Sequence, residues 1–226
     1  MPRVFLFDID NTLLYTGGAG GIAMARAFED LYGVPNGFAG IEFSGRTDRY
    51  ILQGGLDAHG IEGGCEAHLE GFTRRYYELL PGALRGRRGR LMPGFPELLD
   101  ALSDEPGVRL GLATGNFREA ARIKLEHYGL DRYFSGGGFG EWSLERADVV
   151  RTAMESVADG ARPDEIFVIG DTPHDVTSAL ANGVLAVGVA TGGYAVESLR
   201  ASGAHLVFED FSDWRAAVER LLTFGG

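Results

Sequence analysis

The chain has 226 residues, 45% of them hydrophobic, with a formal net charge of −11 and a pI near 4.9. That composition belongs to a folded globular chain longer than one average domain, and its acidity argues against a nucleic-acid or anionic-membrane surface, though not against a small anionic substrate at a locally positive site. A single cysteine, Cys65, rules out an internal disulfide, and no apolar run approaches the ~20 residues of a membrane span.

In chain order, Val4-Phe5-Leu6-Phe7 comes first, a short continuous apolar run of the kind found in strands buried on both faces. It is too short for the apolar core of a signal peptide, and acid follows at once, so a cytoplasmic location is expected. The strand runs into Asp8-Ile9-Asp10-Asn11-Thr12, with two carboxylates one residue apart. Ionised carboxylates are costly to bury and repel each other, so this strand end calls for a cation. Residues 15–92 then show helical patterns and no convincing strand. Met24, Ala27, Phe28 and Leu31 mark one apolar face, and 47–59 and 65–80 read as further helices. Glycine-rich TGGAGG (16–21) opens this segment and RGRRGRLMPG (85–94) closes it, both read as linkers. The basic run Arg85, Arg87, Arg88 and Arg90 reads as a solvated hinge ahead of a phosphate-attracting patch. Gly45-Arg46-Thr47-Asp48 stands at a helix start. Arg46 there is a candidate for meeting an anionic substrate tail, and an ordinary cap by Thr47 or Ser44 is the equal reading.

Strand and helix alternate through the rest of the chain. Val108–Ala113 is a strand followed by Thr114-Gly115-Asn116 and a helix over 117–128, in which Lys124 reads as a surface residue. A helix over 145–158 precedes the strand Ile166–Ile169, which ends in Gly170-Asp171-Thr172-Pro173-His174-Asp175 and a helix over 173–182. Val184–Val189 and Leu206–Phe208 are further strands, and Trp214, Ala217, Val218 and Leu221 fall on one face of a last helix. The pattern predicts a doubly wound parallel α/β sheet formed by residues 1–14 and 93–226, with a helical insert at 15–92.

In such a sheet ligands sit beyond the carboxyl ends of the strands. Three strand ends deliver polar groups to that edge. Asp8, Asp10, Asp171 and Asp175 imply a hard cation with oxygen ligands, which suits magnesium. Thr114 and the amides at Gly115 and Asn116, at a helix start, are suited to anionic oxygens.

DIDNTL, TGN and GDTPHD, in this order and on these strand ends, resemble the haloacid dehalogenase superfamily of hydrolases. The likeness covers nearly the whole chain, and the insert is similar to that family's small helical cap on a Rossmann-like core. Phosphoglycolate-phosphatase-like members look closest. The resemblance implies a magnesium-dependent phosphatase acting on a small phosphorylated metabolite. It implies Asp8 as nucleophile through an aspartyl-phosphate and Asp10 as acid, then base. It further implies Asp8, the Asp10 carbonyl and Asp171 as magnesium ligands with Asp175 supporting them, and Thr114, Gly115 and Asn116 as phosphoryl-binding. The family places a lysine before its last motif, where this chain has Arg146, with Lys124 as fallback cation. A planar fork is not a point charge. A sugar phosphomutase and a non-catalytic binding protein on the same scaffold are the competing readings. Asp10 speaks against a haloacid dehalogenase proper, and the lack of lysine from Tyr15 to Met92 speaks against a phosphonate hydrolase.

Overall fold

The computed structural model describes residues 3–225. Within them, β1 (Arg3–Phe7) leads through a two-residue strand, β2 (Leu14–Tyr15), into three helices, α1 (Ala19–Tyr32), α2 (Asp48–Ala58) and α3 (Gly64–Arg85). The chain returns through β3 (Arg90–Leu91), which pairs antiparallel with β2. Then come α4 (Glu97–Asp104), β4 (Val108–Ala113), α5 (Arg118–Tyr128), β5 (Gly137–Gly138), α6 (Arg146–Val157), β6 (Ile166–Gly170) and α7 (Pro173–Ala181). The chain finishes with β7 (Leu185–Val189), α8 (Val196–Ala201), β8 (Leu206–Phe208) and α9 (Trp214–Thr223).

Six strands form one parallel sheet in the order β5-β4-β1-β6-β7-β8. β1 is central, with Phe7 opposite Leu112 of β4 on one side and Ile169 of β6 on the other. The chain winds outward from β1 to one edge, crosses back, and winds to the other. The carboxyl end of β1 therefore lies at the switch between the halves, flanked by the ends of β4 and β6.

The continuous apolar strands follow from burial on both faces. Phe5 and Phe7 point into one core with Leu98, Leu99, Leu102, Phe167 and Ile169. Val4 and Leu6 point into the opposite core with Val150, Ala153, Val168 and Val176. A third cluster lies in the insert, where Met24, Ala27, Phe28, Ile51, Leu52, Phe72 and Tyr76 pack together with Phe117 and Ala120 from the start of α5.

Three features of the insert differ from the sequence reading. The segment 85–94, read as a linker in a stretch without strands, begins with the last residue of α3 and contains β3, which pairs with β2. Leu31, placed on the apolar face of the first helix, is 43% exposed; that face continues from Phe28 to Tyr32, whose ring lies 4.6 Å from that of Phe28. Of the linker glycines, Gly17 and Gly18 do adopt left-handed backbone (φ 66° and 81°), but Gly20 and Gly21 lie inside α1. At Gly20 a methyl group would come within 3.2 Å of Lys124 Nζ, so this glycine serves a close approach rather than a hinge.

Candidate active site

The ends of β1, β4 and β6, together with the amino-terminal parts of α1 and α2, enclose a cavity of about 330 Å³. Asp8, Asp10, Gly115, Asn116, Arg146 and Asp171 all line it, with Arg46, Asp48, Tyr76 and Lys124.

Asp8 continues β1, its N–H donating to the carbonyl of Ile169 at 2.9 Å. Its Oδ1 lies 2.7 Å from Arg146 Nη2, which also reaches Asp175 Oδ1 at 2.7 Å and the Ala113 carbonyl at 3.1 Å. Arg146 is 8% exposed at the first residue of α6. Burial works against its charge, but Asp8 and Asp175 more than offset that and push its pKa above the ordinary value. Asp175 is bound on its other oxygen as well, accepting from the Thr172 N–H at 3.0 Å and hydroxyl at 2.8 Å in the capping box that starts α7.

Carboxylate oxygens of Asp8, Asp171 and Asp175 lie within 4.8 Å of one another. Burial, then the neighbouring Asp175 and Asp8, push the Asp171 carboxyl up to about 8. Burial pushes Asp8 up to about 6, Arg146 opposing and Asp175 adding. Asp171 Oδ1 is 3.4 Å from the Thr12 hydroxyl, whereas Oδ2 is buried with no hydrogen-bond partner. Three buried acids against one guanidinium, with an orphaned oxygen among them, form an oxygen-only donor set that fits a hard divalent cation.

Asp10 lines the same cavity. Its Oδ2 accepts from Asn116 Nδ2 at 2.9 Å and from Lys124 Nζ at 2.5 Å. Lys124 also donates to Asn116 Oδ1 at 2.6 Å. The reading of Lys124 as a surface residue is thus incorrect, since it is 3% exposed. The reason is its position on α5, where Ala120, Ala121, Lys124 and Leu125 share the buried face. The Asn116 amide also donates to Thr114 Oγ1 at 2.8 Å, and Thr114 is fully buried beneath the turn. At Gly115 a Cβ would sit 2.1 Å from the Arg46 carbonyl and 2.6 Å from Arg146 Nη1. Only glycine allows the insert and the guanidinium to close on this turn.

Arg46 reaches the cavity rim, but its guanidinium is bound to Glu42 at 2.7 Å and stacks 4.7 Å from the Tyr50 ring centre. Asp48 was not singled out in the sequence. It is 7% exposed, accepts from the Phe117 N–H at 2.9 Å, and burial pushes its carboxyl up to about 6. Tyr76, also not anticipated, is fully buried in α3 and lines the cavity. The signal for Tyr76 was its helical spacing with Phe72 and Leu80.

The sequence pattern of haloacid dehalogenase-like hydrolases matches residues 2–183. The chain is 30% identical over 230 aligned positions to a phosphoglycolate phosphatase from Rhodospirillum rubrum, covering 95% of this chain and 91% of that protein. Among solved structures, a hydrolase from Pseudomonas syringae superposes with a TM-score of 0.72 at 23% identity, covering 96% of this chain and 98% of that one. A predicted phosphoglycolate phosphatase from Haemophilus somnus gives 0.70 at 21% identity, with 96% and 97% covered. The chain belongs to the haloacid dehalogenase-like hydrolase family.

Proposed function

We propose that this haloacid dehalogenase-like hydrolase is a magnesium-dependent phosphatase that cleaves a small phosphomonoester through an aspartyl-phosphate, as its phosphoglycolate phosphatase relative would lead one to expect. The observation that carries the reading is Asp8 at the cavity wall, held by Arg146 at 2.7 Å beside the partnerless Asp171 Oδ2. Magnesium would be held by the carboxylates of Asp8 and Asp171 and the main-chain carbonyl of Asp10, with Asp175 behind them, and would neutralise charge on Asp8 and on the phosphoryl oxygens.

An Asp8 oxygen attacks phosphorus in line with the ester oxygen. Arg146, 2.7 Å from Asp8 Oδ1, orients the carboxylate and faces the transferring group. Asp10 gives its proton to the departing oxygen, which leaves as an alcohol, and becomes a carboxylate. Asp10 then takes a proton from water as that water attacks phosphorus, releasing inorganic phosphate and regenerating Asp8 and protonated Asp10. In this reading the amides at Gly115 and Asn116, which line the cavity, would hold the phosphoryl oxygens, with the fully buried Thr114 hydroxyl accepting from Asn116 behind them.

Residues 15–92 act as the lid over residues 1–14 and 93–226 in this reading. Supporting it, Gly20, Met24, Ile51 and Tyr76 from the insert line the same cavity as Asp8 and Asp10. A cavity of about 330 Å³ limits the substrate to a small metabolite. The test is phosphate release from a panel of small phosphomonoesters with and without magnesium. Metal-dependent release from at least one ester is expected, and no release from any would overturn the reading.

A further inference from the structure

The reaction above uses Asp10 but leaves open what aims it. The contacts of its side chain come from one continuous stretch of chain, the turn after β4 and the helix that follows. Asn116 Nδ2 donates to Asp10 Oδ2 at 2.9 Å, and Lys124 Nζ donates to the same oxygen at 2.5 Å. The lysine and the amide are themselves joined, Nζ to Asn116 Oδ1 at 2.6 Å, so the three side chains form a closed triangle. Thr114 Oγ1 accepts from the amide at 2.8 Å and fixes which way Asn116 faces.

The triangle is sealed from the lid side. Lys124 is 3% exposed. From a Cβ position built on Gly20 of α1, Nζ is 3.2 Å away and the Tyr76 hydroxyl of α3 is 3.6 Å away. An ammonium held this far from solvent is costly without a partner of opposite charge, and the carboxylate that Asp10 becomes once it has given up its proton is that partner. Arg146 contacts Asp8 and Asp175, and Lys124 contacts Asp10, so each of the two carboxylates at the end of β1 has its own buried cation.

We propose that Lys124 is a positioning residue that locks the Asp10 carboxylate through Oδ2 and so leaves Oδ1 to pass the proton to the leaving oxygen. The inference rests on the phosphatase reading. It separates the two cations by task. Arg146 serves bond formation at phosphorus, and Lys124 serves protonation of what departs. The separation has a kinetic signature. An alkyl phosphate needs its leaving oxygen protonated, whereas p-nitrophenyl phosphate departs as a stable phenolate and needs little help.

The experiment compares wild type with Lys124→Met, a substitution close in length and apolar at its end, on an alkyl phosphate and on p-nitrophenyl phosphate with magnesium. The proposal expects kcat on the alkyl ester to fall by roughly a hundredfold or more, the scale of general acid catalysis, and kcat on the aryl ester to fall less than about tenfold. Equal loss on both esters, or no loss on either, would overturn it. The alkyl ester used is the one the wild type hydrolyses best in the magnesium panel, and if the wild type releases phosphate from no ester of that panel it is the phosphatase reading itself that fails. The crystal structure of the variant then decides the positioning claim. An Asp10 carboxylate displaced from Asn116 Nδ2 supports it, and one still within hydrogen-bond distance contradicts it.

Discussion

At the scale of single residues, the contact between Arg146 and the acids is made by one nitrogen. Nη2 alone meets Asp8, Asp175 and the Ala113 carbonyl, at 2.7, 2.7 and 3.1 Å. This is not the bidentate fork that usually separates arginine from lysine. Nη2 has two hydrogens for these three oxygens, and a lysine ammonium, with three, could serve the same set. Arg146→Lys is therefore expected to keep kcat within about tenfold of wild type, while Arg146→Ala lowers it by roughly a hundred- to a thousandfold, the scale of losing one preorganised donor. Steady-state kinetics on both variants check this, and equal losses would show that the planar shape matters after all. The acids could be read from the sequence because strand ends punctuate apolar runs: Asp8 after Phe7 and Asp171 after Gly170 stand where a parallel sheet opens, whereas Arg146, at the first residue of α6, was indicated only by the family resemblance. Lys124 could not, because a charge inside a helix defaults to solvent. Its face is shared with Ala120 and Ala121, which are small and give a weak periodic signal.

At the scale of elements, the start of α2 ties the insert to the sheet. The Thr47 hydroxyl caps the helix, accepting from the Tyr50 N–H at 3.1 Å, and donates to the Ser143 carbonyl at 3.1 Å. The Asp48 N–H donates to the Gly115 carbonyl at 2.7 Å, and its carboxylate accepts from Phe117. Burial holds the Asp48 carboxyl at about 6, above its ordinary 3.8, with Lys124 and the Phe117 N–H opposing. The folded state thus binds this proton more tightly than the unfolded state. Stability from this group is fully present below about pH 4, is lost as pH rises to about 6, and is flat above, a total of about 3 kcal/mol. Asp48→Asn lacks this loss, so the stability advantage of wild type over the variant should shrink between pH 4 and 7. Denaturant titrations across that range measure it, and parallel curves would contradict it. Gly115→Ala should push the Arg46 carbonyl away and lower both stability and turnover, because its Cβ would otherwise sit 2.1 Å from that oxygen. The long buried strands were legible as apolar runs, but β2, β3 and β5 have two residues each, too few for any pattern. β5 is Gly137-Gly138 because a side chain at Gly138 would meet the Val149 carbonyl of α6 at 1.9 Å, so packing removed the apolar residues that mark a strand.

At the scale of the whole molecule, the charges around β1 are arranged around a space. Asp8, Asp171 and Asp175 face one guanidinium, in a protein of net charge −11. Magnesium in that space should stabilise the fold as any ligand of the native state does, by about 2.7 kcal/mol at a hundredfold excess over Kd. For a chain of this size that is a rise in Tm of several degrees. Melting curves with magnesium and with chelator should show it for wild type and not for Asp171→Asn, and a shift that persists in the variant would place the ion elsewhere. The insert is not a loosely hung lid. Phe117 and Ala120 of α5 are buried in its cluster, so lifting it away whole would expose core apolar surface, and smaller movements at Gly17 and Gly18 are the expected opening. The helical nature of the insert was legible from periodicity, but its seating on α5 was not, because contacts between distant segments leave no local pattern. The central claim is that chemistry begins on Asp8. The most direct measurement is phosphate release by Asp8→Asn against wild type, on the ester the wild type hydrolyses best, with magnesium present and an acid-quenched sample assayed for phosphate bound to the protein. The account predicts acid-stable label on the wild-type peptide that carries Asp8, and neither label nor release in the variant. Release by the variant at the wild-type rate would contradict it.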